Sequence, residues 1–195
     1  MKLGALFSSE FDDWCTPSEV LDRVRLVDEI GLDPFSNAQS IVGAKRDFRL
    51  DRGEDALRLD WRGHGLVFCN PPYGDDIAPC MRRVAYFAAE GVEIIALLPH
   101  RTDTQWWQST SGAAGKCEWE GRLKHPRGVS DKRQLRLVGV AHIEEAYPPP
   151  DTGTAPFPSV VVYWGDRFKR FERAFADAGQ IWQRVERRAR RRAAK

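Results

Sequence analysis

The sequence predicts an α/β fold built on a mostly parallel sheet, and three observations carry that expectation. Two apolar runs, Leu66–Cys69 and 92–98, are continuous rather than alternating, as expected of strands covered on both faces. The segment between them, 75–90, has helical patterning with Pro79 in its first turn, giving a strand–helix–strand unit. Such units imply parallel pairing and a right-handed crossover. The chain has 195 residues, which favours one domain with a core that needs no disulfide or metal to hold it.

The remaining elements follow in order. Residues 17–30 read as a helix, with Thr16 as N-cap, Pro17 in the first turn, Glu19 at the capping-box position and Val20, Val24 and Val27 on one stripe. A short strand-like segment, 31–35, ends at the turn signal Ser36-Asn37. Residues 44–61 are polar and irregular. Segments 117–125 and 135–143 are candidate strands, and five prolines make 145–158 a loop. Ser159–Trp164 is rich in β-branched and aromatic residues and reads as a strand. Residues 166–183 read as a helix, with Phe168, Phe171, Phe175 and Trp182 near helical spacing. Ligands of parallel sheets sit beyond the carboxyl ends of the strands, so the loops of interest are 33–40, 70–76 and 99–107.

Composition excludes several classes. Hydrophobic residues make up 42% and charged residues 30%, ordinary values for a globular protein and far from those of a disordered or collagen-like chain. No window holds 18 apolar residues, and the first residues lack a signal-peptide core of usual length, so a cytoplasmic protein is expected. Cys15, Cys69, Cys80 and Cys117 form no CxxC pair, and His64, His100, His125 and His142 are scattered, so no metal site is expected. The net charge of +2 conceals an asymmetry. Residues 180–195 carry +6, which leaves −4 for the rest of the chain.

The sharpest feature is Asn70-Pro71-Pro72-Tyr73, directly after a buried strand and at the start of a helix. The plainer reading is a turn with an aromatic residue resting on the core. Its position favours chemistry. An amine conjugated to a ring is a poor nucleophile because its lone pair is delocalised. The Asn70 side-chain oxygen and the Pro71 carbonyl can both accept hydrogen bonds from one NH₂ group, drawing the nitrogen towards a pyramidal geometry. Two prolines stiffen the backbone that presents the carbonyl. The Tyr73 ring offers a face on which a flat base can stack.

The motif resembles the amino-methyltransferase signature shared by adenine-N6, some cytosine-N4 and some protein-glutamine methyltransferases. An ordered set of segments is similar to one narrower group, the phage-type DNA N-6-adenine methyltransferases (the phage Dam family). The set comprises Asp13-Trp14-Cys15-Thr16-Pro17, Leu32-Asp33-Pro34-Phe35-Ser36-Asn37, Glu54-Asp55-Ala56-Leu57 with Trp61, and Phe68-Cys69-Asn70-Pro71-Pro72-Tyr73-Gly74. It continues through Leu97-Leu98-Pro99 and Trp107 to Ser159–Trp164, Phe168, Phe175, Gly179 and Trp182. The resemblance implies a Rossmann-like methyltransferase domain over 1–183 with a basic tail, 184–195. It implies S-adenosyl-L-methionine as methyl donor and double-stranded DNA as partner, in a bacterial or phage-infected cell. It places Asn70, Pro71, Pro72 and Tyr73 at the reacting centre. It puts Thr16 and Pro17 near the donor's methionine end, Asp33, Pro34 and Asn37 at the end of the first strand facing the donor, and Asp55 near its adenosine. Two plainer readings stand beside these: Thr16 as a helix cap and Asp33-Pro34 as a turn.

One departure concerns the donor loop. Rossmann-like methyltransferases usually carry G-x-G after the first strand, whereas Phe35-Ser36-Asn37-Ala38 stands here and no glycine occurs before Gly43. The family it resembles shares this lack. The tail is suited to a polyanion or to a solvated end, and Arg101, Lys116, Arg122, Lys124 and Arg127 are placed to line a DNA path. Trp106-Trp107 fits stacking on a base or, for at least one of the two, the core. Cytosine-N4 or protein-glutamine methylation, or a catalytically silent DNA-binding or anti-restriction module, are the alternatives at this point.

Overall fold

The computed structural model describes residues 16–101, 103–108, 137–143 and 159–183. The expectations for Asp13 to Cys15, for strand 117–125, for the proline segment 145–158, for Lys116, Arg122, Lys124 and Arg127, and for the tail 184–195 lie outside these residues.

Helix α1 (Ser18–Val27) buries Val20, Leu21, Val24 and Val27, the stripe that its sequence spacing requires. It begins one residue later than expected, with Pro17 at the N-cap and no side-chain cap, and ends three residues earlier, since Ile30 belongs to the strand that follows. Thr16 therefore does not cap the helix. Strand β1 (Ile30–Asp33) is buried throughout and stops where Pro34 turns the chain. The polar segment that follows holds a two-residue strand, β2 (Arg46–Asp47), and a single 3₁₀ turn, Leu50–Arg52. Strand β3 (Leu66–Cys69) leads through a 3₁₀ turn, Gly74–Asp76, into helix α2 (Ile77–Ala89), with Pro79 in the first turn. Strand β4 (Ile94–Pro99), strand β5 (Leu137–Ile143) and strand β6 (Ser159–Trp164) follow.

The C-terminal part differs from the expected long helix. Helix α3 (Phe168–Phe175) is only eight residues, and a two-residue strand, β7 (Ile181–Trp182), pairs with β5 through Ala141 and Val140. Trp182 thus belongs to the sheet edge. Its helical spacing from Phe175 is coincidental, because the helix ends at Phe175, a turn follows over 176–178, and strand pairing supplies the hydrogen bonds at Trp182.

The seven strands form one sheet in the order β2-β1-β3-β4-β6-β5-β7. Pairings among β2, β1, β3 and β4 are parallel, and those of β6 with β4 and β5, and of β5 with β7, are antiparallel. Five strands consequently point one way, with β6 and β7 reversed, so the architecture is mixed α/β on a mostly parallel sheet. Helices α1 and α3 cover one face, against Leu66, Phe68, Ile95, Leu97, Val161 and Tyr163. Helix α2 covers the other with Trp61, which stacks on Phe87 at 5.0 Å. Gly31 allows β1 and the chain before β3 to approach closely: a Cβ there would lie 1.5 Å from the His64 carbonyl oxygen. No helix among the described residues is long and apolar enough to cross a membrane.

The chain reverses its direction of travel across the sheet between β1 and β3. From β1 it moves outward to β2, then returns past β1 to β3 and on to β4. The loops leaving the carboxyl ends of β1 and β3 therefore diverge, the place at which open sheets of this kind form a ligand crevice.

Candidate active site

The crevice is lined by the two loops that the sequence singles out. On one side is Asp33, the last residue of β1 and 3% exposed. Its Oδ1 accepts the Phe35 N–H at 3.2 Å, and its Oδ2 accepts the Ser40 hydroxyl at 3.2 Å. Burial pushes its carboxyl up to about 6, against the opposing effect of these hydrogen bonds. Among the described residues no Lys, Arg or His forms an ion pair with it. The loop is held to the sheet by Phe48 N–H to the Asp33 carbonyl at 2.9 Å and Ser36 N–H to the Phe48 carbonyl at 3.2 Å. Pro34 is buried behind the turn.

On the other side is the loop after β3. Pro71 is buried, Pro72 is exposed, and Asn70 and Tyr73 are half-buried. Gly74 follows with φ +87°, a left-handed conformation that lets the chain turn sharply into the helix. The Asn70 amide is held at both ends. Its Nδ2 donates to Thr16 Oγ1 at 3.2 Å, and its Oδ1 accepts the Tyr73 hydroxyl at 2.9 Å. Tyr73 rests against the core on the α2 face, as do Phe35 and Trp106. Trp107 is 7% exposed and Trp106 half-buried, so at least one of this pair is core. Their rings meet edge-on at 5.8 Å.

The other expected site residues have local partners. Asn37 Oδ1 accepts the Gln39 N–H at 2.9 Å, closing its own turn. Asp55 Oδ1 accepts the Leu57 N–H at 2.9 Å and its Oδ2 pairs with Arg58 at 3.1 Å. The buried Trp61 indole donates to the Ala56 carbonyl at 3.0 Å and anchors this segment. Phe35 meets Trp61 edge-on at 5.5 Å, joining the Asp55 segment to the loop after β1. Pro17 sits at the N-cap of α1, beside Thr16. Arg101, after β4, pairs with Asp103 at 3.4 Å and remains partly exposed.

Two features went unread in the sequence. Ser40 was not singled out as the partner of Asp33, although a hydroxyl a few residues beyond a strand-end acid is a fair signal. The Thr16–Asn70 contact spans 54 positions and has no local signature. The thiols of Cys69 and Cys80 are unsuited to act as nucleophiles: burial pushes Cys69 well up and Cys80 up to about 12. Among the described residues no group of His, Cys, Asp and Glu is arranged to hold a metal ion.

The arrangement presents an amide oxygen, a ring face and a buried carboxylate at the ends of neighbouring strands. No curated protein and no solved structure matches the chain. A family model described as DNA N-6-adenine-methyltransferase (Dam) matches residues 5–135, two thirds of the chain, and that stretch contains both crevice loops. The chain belongs to the DNA N-6-adenine-methyltransferase (Dam) family.

Proposed function

We propose that the chain is an S-adenosyl-L-methionine-dependent DNA methyltransferase with a Rossmann-like domain, transferring a methyl group to N6 of an adenine turned out of double-stranded DNA. The observation that carries this reading is the Asn70 amide, held by Thr16 and Tyr73 at the carboxyl end of β3 beside the strand reversal.

The residues fit the donor. S-adenosylmethionine supplies an electrophilic methyl group on a sulfonium and also carries an ammonium. Asp33, a buried carboxylate with no cationic partner among the described residues, is suited to that ammonium. Pro17 at the start of α1, Pro34 and Asn37 in the loop after β1, and Asp55 beyond β2 complete the proposed lining, while Thr16, beside Pro17, is engaged by the Asn70 amide. Asp55 and Asn37 are tied into turns, so their part is to shape the wall.

Turning the base out costs a few kcal/mol and brings N6 within reach of the loop after β3. The incoming amine displaces the Tyr73 hydroxyl from Asn70 Oδ1, and the freed ring stacks on the base. Asn70 Oδ1 and the Pro71 carbonyl then accept hydrogen bonds from the two N6–H groups, localising the lone pair for in-line attack on the methyl carbon. Pro72 stiffens the turn. The carbon–nitrogen bond would form as the methyl–sulfur bond breaks, with the electron pair staying on the departing thioether; the amine, cationic at that point, would then lose a proton to water, so no strong base is required. Catalysis rests on orientation and on dipoles fixed before the reaction. Asn70→Ala is expected to abolish transfer of a tritiated methyl group to DNA while calorimetry still detects donor binding. Retained transfer would overturn the role of Asn70.

A further inference from the structure

We propose that Thr16 is a positioning residue, whose side-chain hydroxyl holds the Asn70 amide in the place from which its oxygen meets the substrate; this rests on the function proposed above. The chemistry at Asn70 requires the amide oxygen, not the nitrogen, to face the substrate. Here Nδ2 is taken by Thr16 Oγ1, which leaves Oδ1 on the side of the Tyr73 hydroxyl and ring.

The hydroxyl is suited to this task because it is fixed. Thr16 is 5% exposed and lies at the foot of α1, whose next turn buries Val20 and Leu21 in the core. On the outer side of the same helix, Arg23 donates to the Ala174 carbonyl at 3.2 Å and pairs with Asp177, tying α1 to α3 and the segment after it. The Thr16 Oγ1 position is therefore set by helix packing on the face opposite α2, whereas Asn70 is set by the sheet. The amide bridges the two. This role differs from contact with the methyl donor, which the family resemblance implies for Thr16.

The test compares Thr16→Val, which keeps the shape and removes the acceptor, with Thr16→Ser, which keeps the acceptor. Single-turnover methyl transfer to DNA and donor affinity by calorimetry are measured on the full chain. Losing one neutral hydrogen bond that orients a reacting group is expected to slow transfer by roughly tenfold. Thr16→Val should show that loss with donor affinity unchanged within about twofold, and Thr16→Ser should restore the rate. Full activity in Thr16→Val, no rescue by Thr16→Ser, or a loss residing in donor affinity would each overturn the proposal. The Asn70 side-chain amide resonances, assigned by their absence in Asn70→Asp, give a readout independent of activity. They should shift in Thr16→Val and not in Thr16→Ser. If the wild type methylates no adenine, the proposed function fails, and this spectrum alone decides whether Thr16 holds the amide: unchanged resonances in Thr16→Val refute it.

Discussion

Asp33→Asn should make the protein more stable at neutral pH and less able to hold its methyl donor. The carboxyl of Asp33 is pushed from 3.8 to about 6 by burial. A folded value above the unfolded one means that the folded state favours the protonated form. The stabilisation from protonation is complete below pH 4 and is lost as pH rises towards and through 6. A shift of about two units corresponds to a cost of about 3 kcal/mol for keeping the ionised carboxylate buried at pH 8. Asparagine has nearly the same shape, and both existing contacts survive: its oxygen accepts the Phe35 N–H and its amide donates to the Ser40 oxygen. In urea denaturation the variant should gain about 3 kcal/mol over wild type at pH 8, shrinking to about 1 kcal/mol at pH 4.5. Donor binding should weaken, because the ammonium loses its buried counter-ion. A gain independent of pH, or none at pH 8, would refute the reasoning. So would a more stable variant that binds the donor as well as wild type does.

Three other perturbations probe different parts of the account. Tyr73→Phe keeps the stacking ring and removes the hydroxyl that occupies Asn70 Oδ1, so transfer should persist with an equal or lower KM for DNA, whereas Tyr73→Ala should lose activity in the same assay. Gly31→Ala drives a methyl group into the His64 carbonyl at the β1–β3 junction and should cost about 3 kcal/mol or more, read as a lower urea midpoint. Arg167 joins Glu93, Asp28 and, through its backbone N–H, the Tyr163 hydroxyl at the amino ends of β1 and β4. Arg167→Ala should lower stability by about 2 kcal/mol, below the value for a fully buried pair because the site is partly wet, and should leave transfer by the folded enzyme unchanged.

How much could be read in advance depended on how local each feature is. The unit β3–α2–β4 was legible because its two strands are continuous apolar runs, buried at every position, and Pro79 admits a helix only when it lies in the first turn. The Asn70 loop was legible for the same reason, since an unusual polar turn follows an unambiguous strand. Strand β2 was not, because Arg46 and Asp47 hold an edge position by pairing with Leu32 and Asp33 and carry no apolar pattern. The end of α3 was not legible because Trp182 continues a helical spacing although the helix stops at Phe175 and β5 captures the chain beyond it. Thr16 reads locally as a helix cap, and by resemblance as a neighbour of the methyl donor. Its observed partner lies on another element, and only folding brings the two hydroxyls to the ends of one amide.

Methylation of adenine at N6 by this loop leaves a product that can be identified directly. The direct test incubates unmethylated double-stranded DNA with the full chain and S-adenosylmethionine carrying a deuterated methyl group, digests the DNA to nucleosides and separates them by mass spectrometry. N6-methyldeoxyadenosine bearing the deuterated methyl group is expected, and none with Asn70→Ala. N4-methyldeoxycytidine instead, or unmodified nucleosides from a protein that binds the donor, would contradict it.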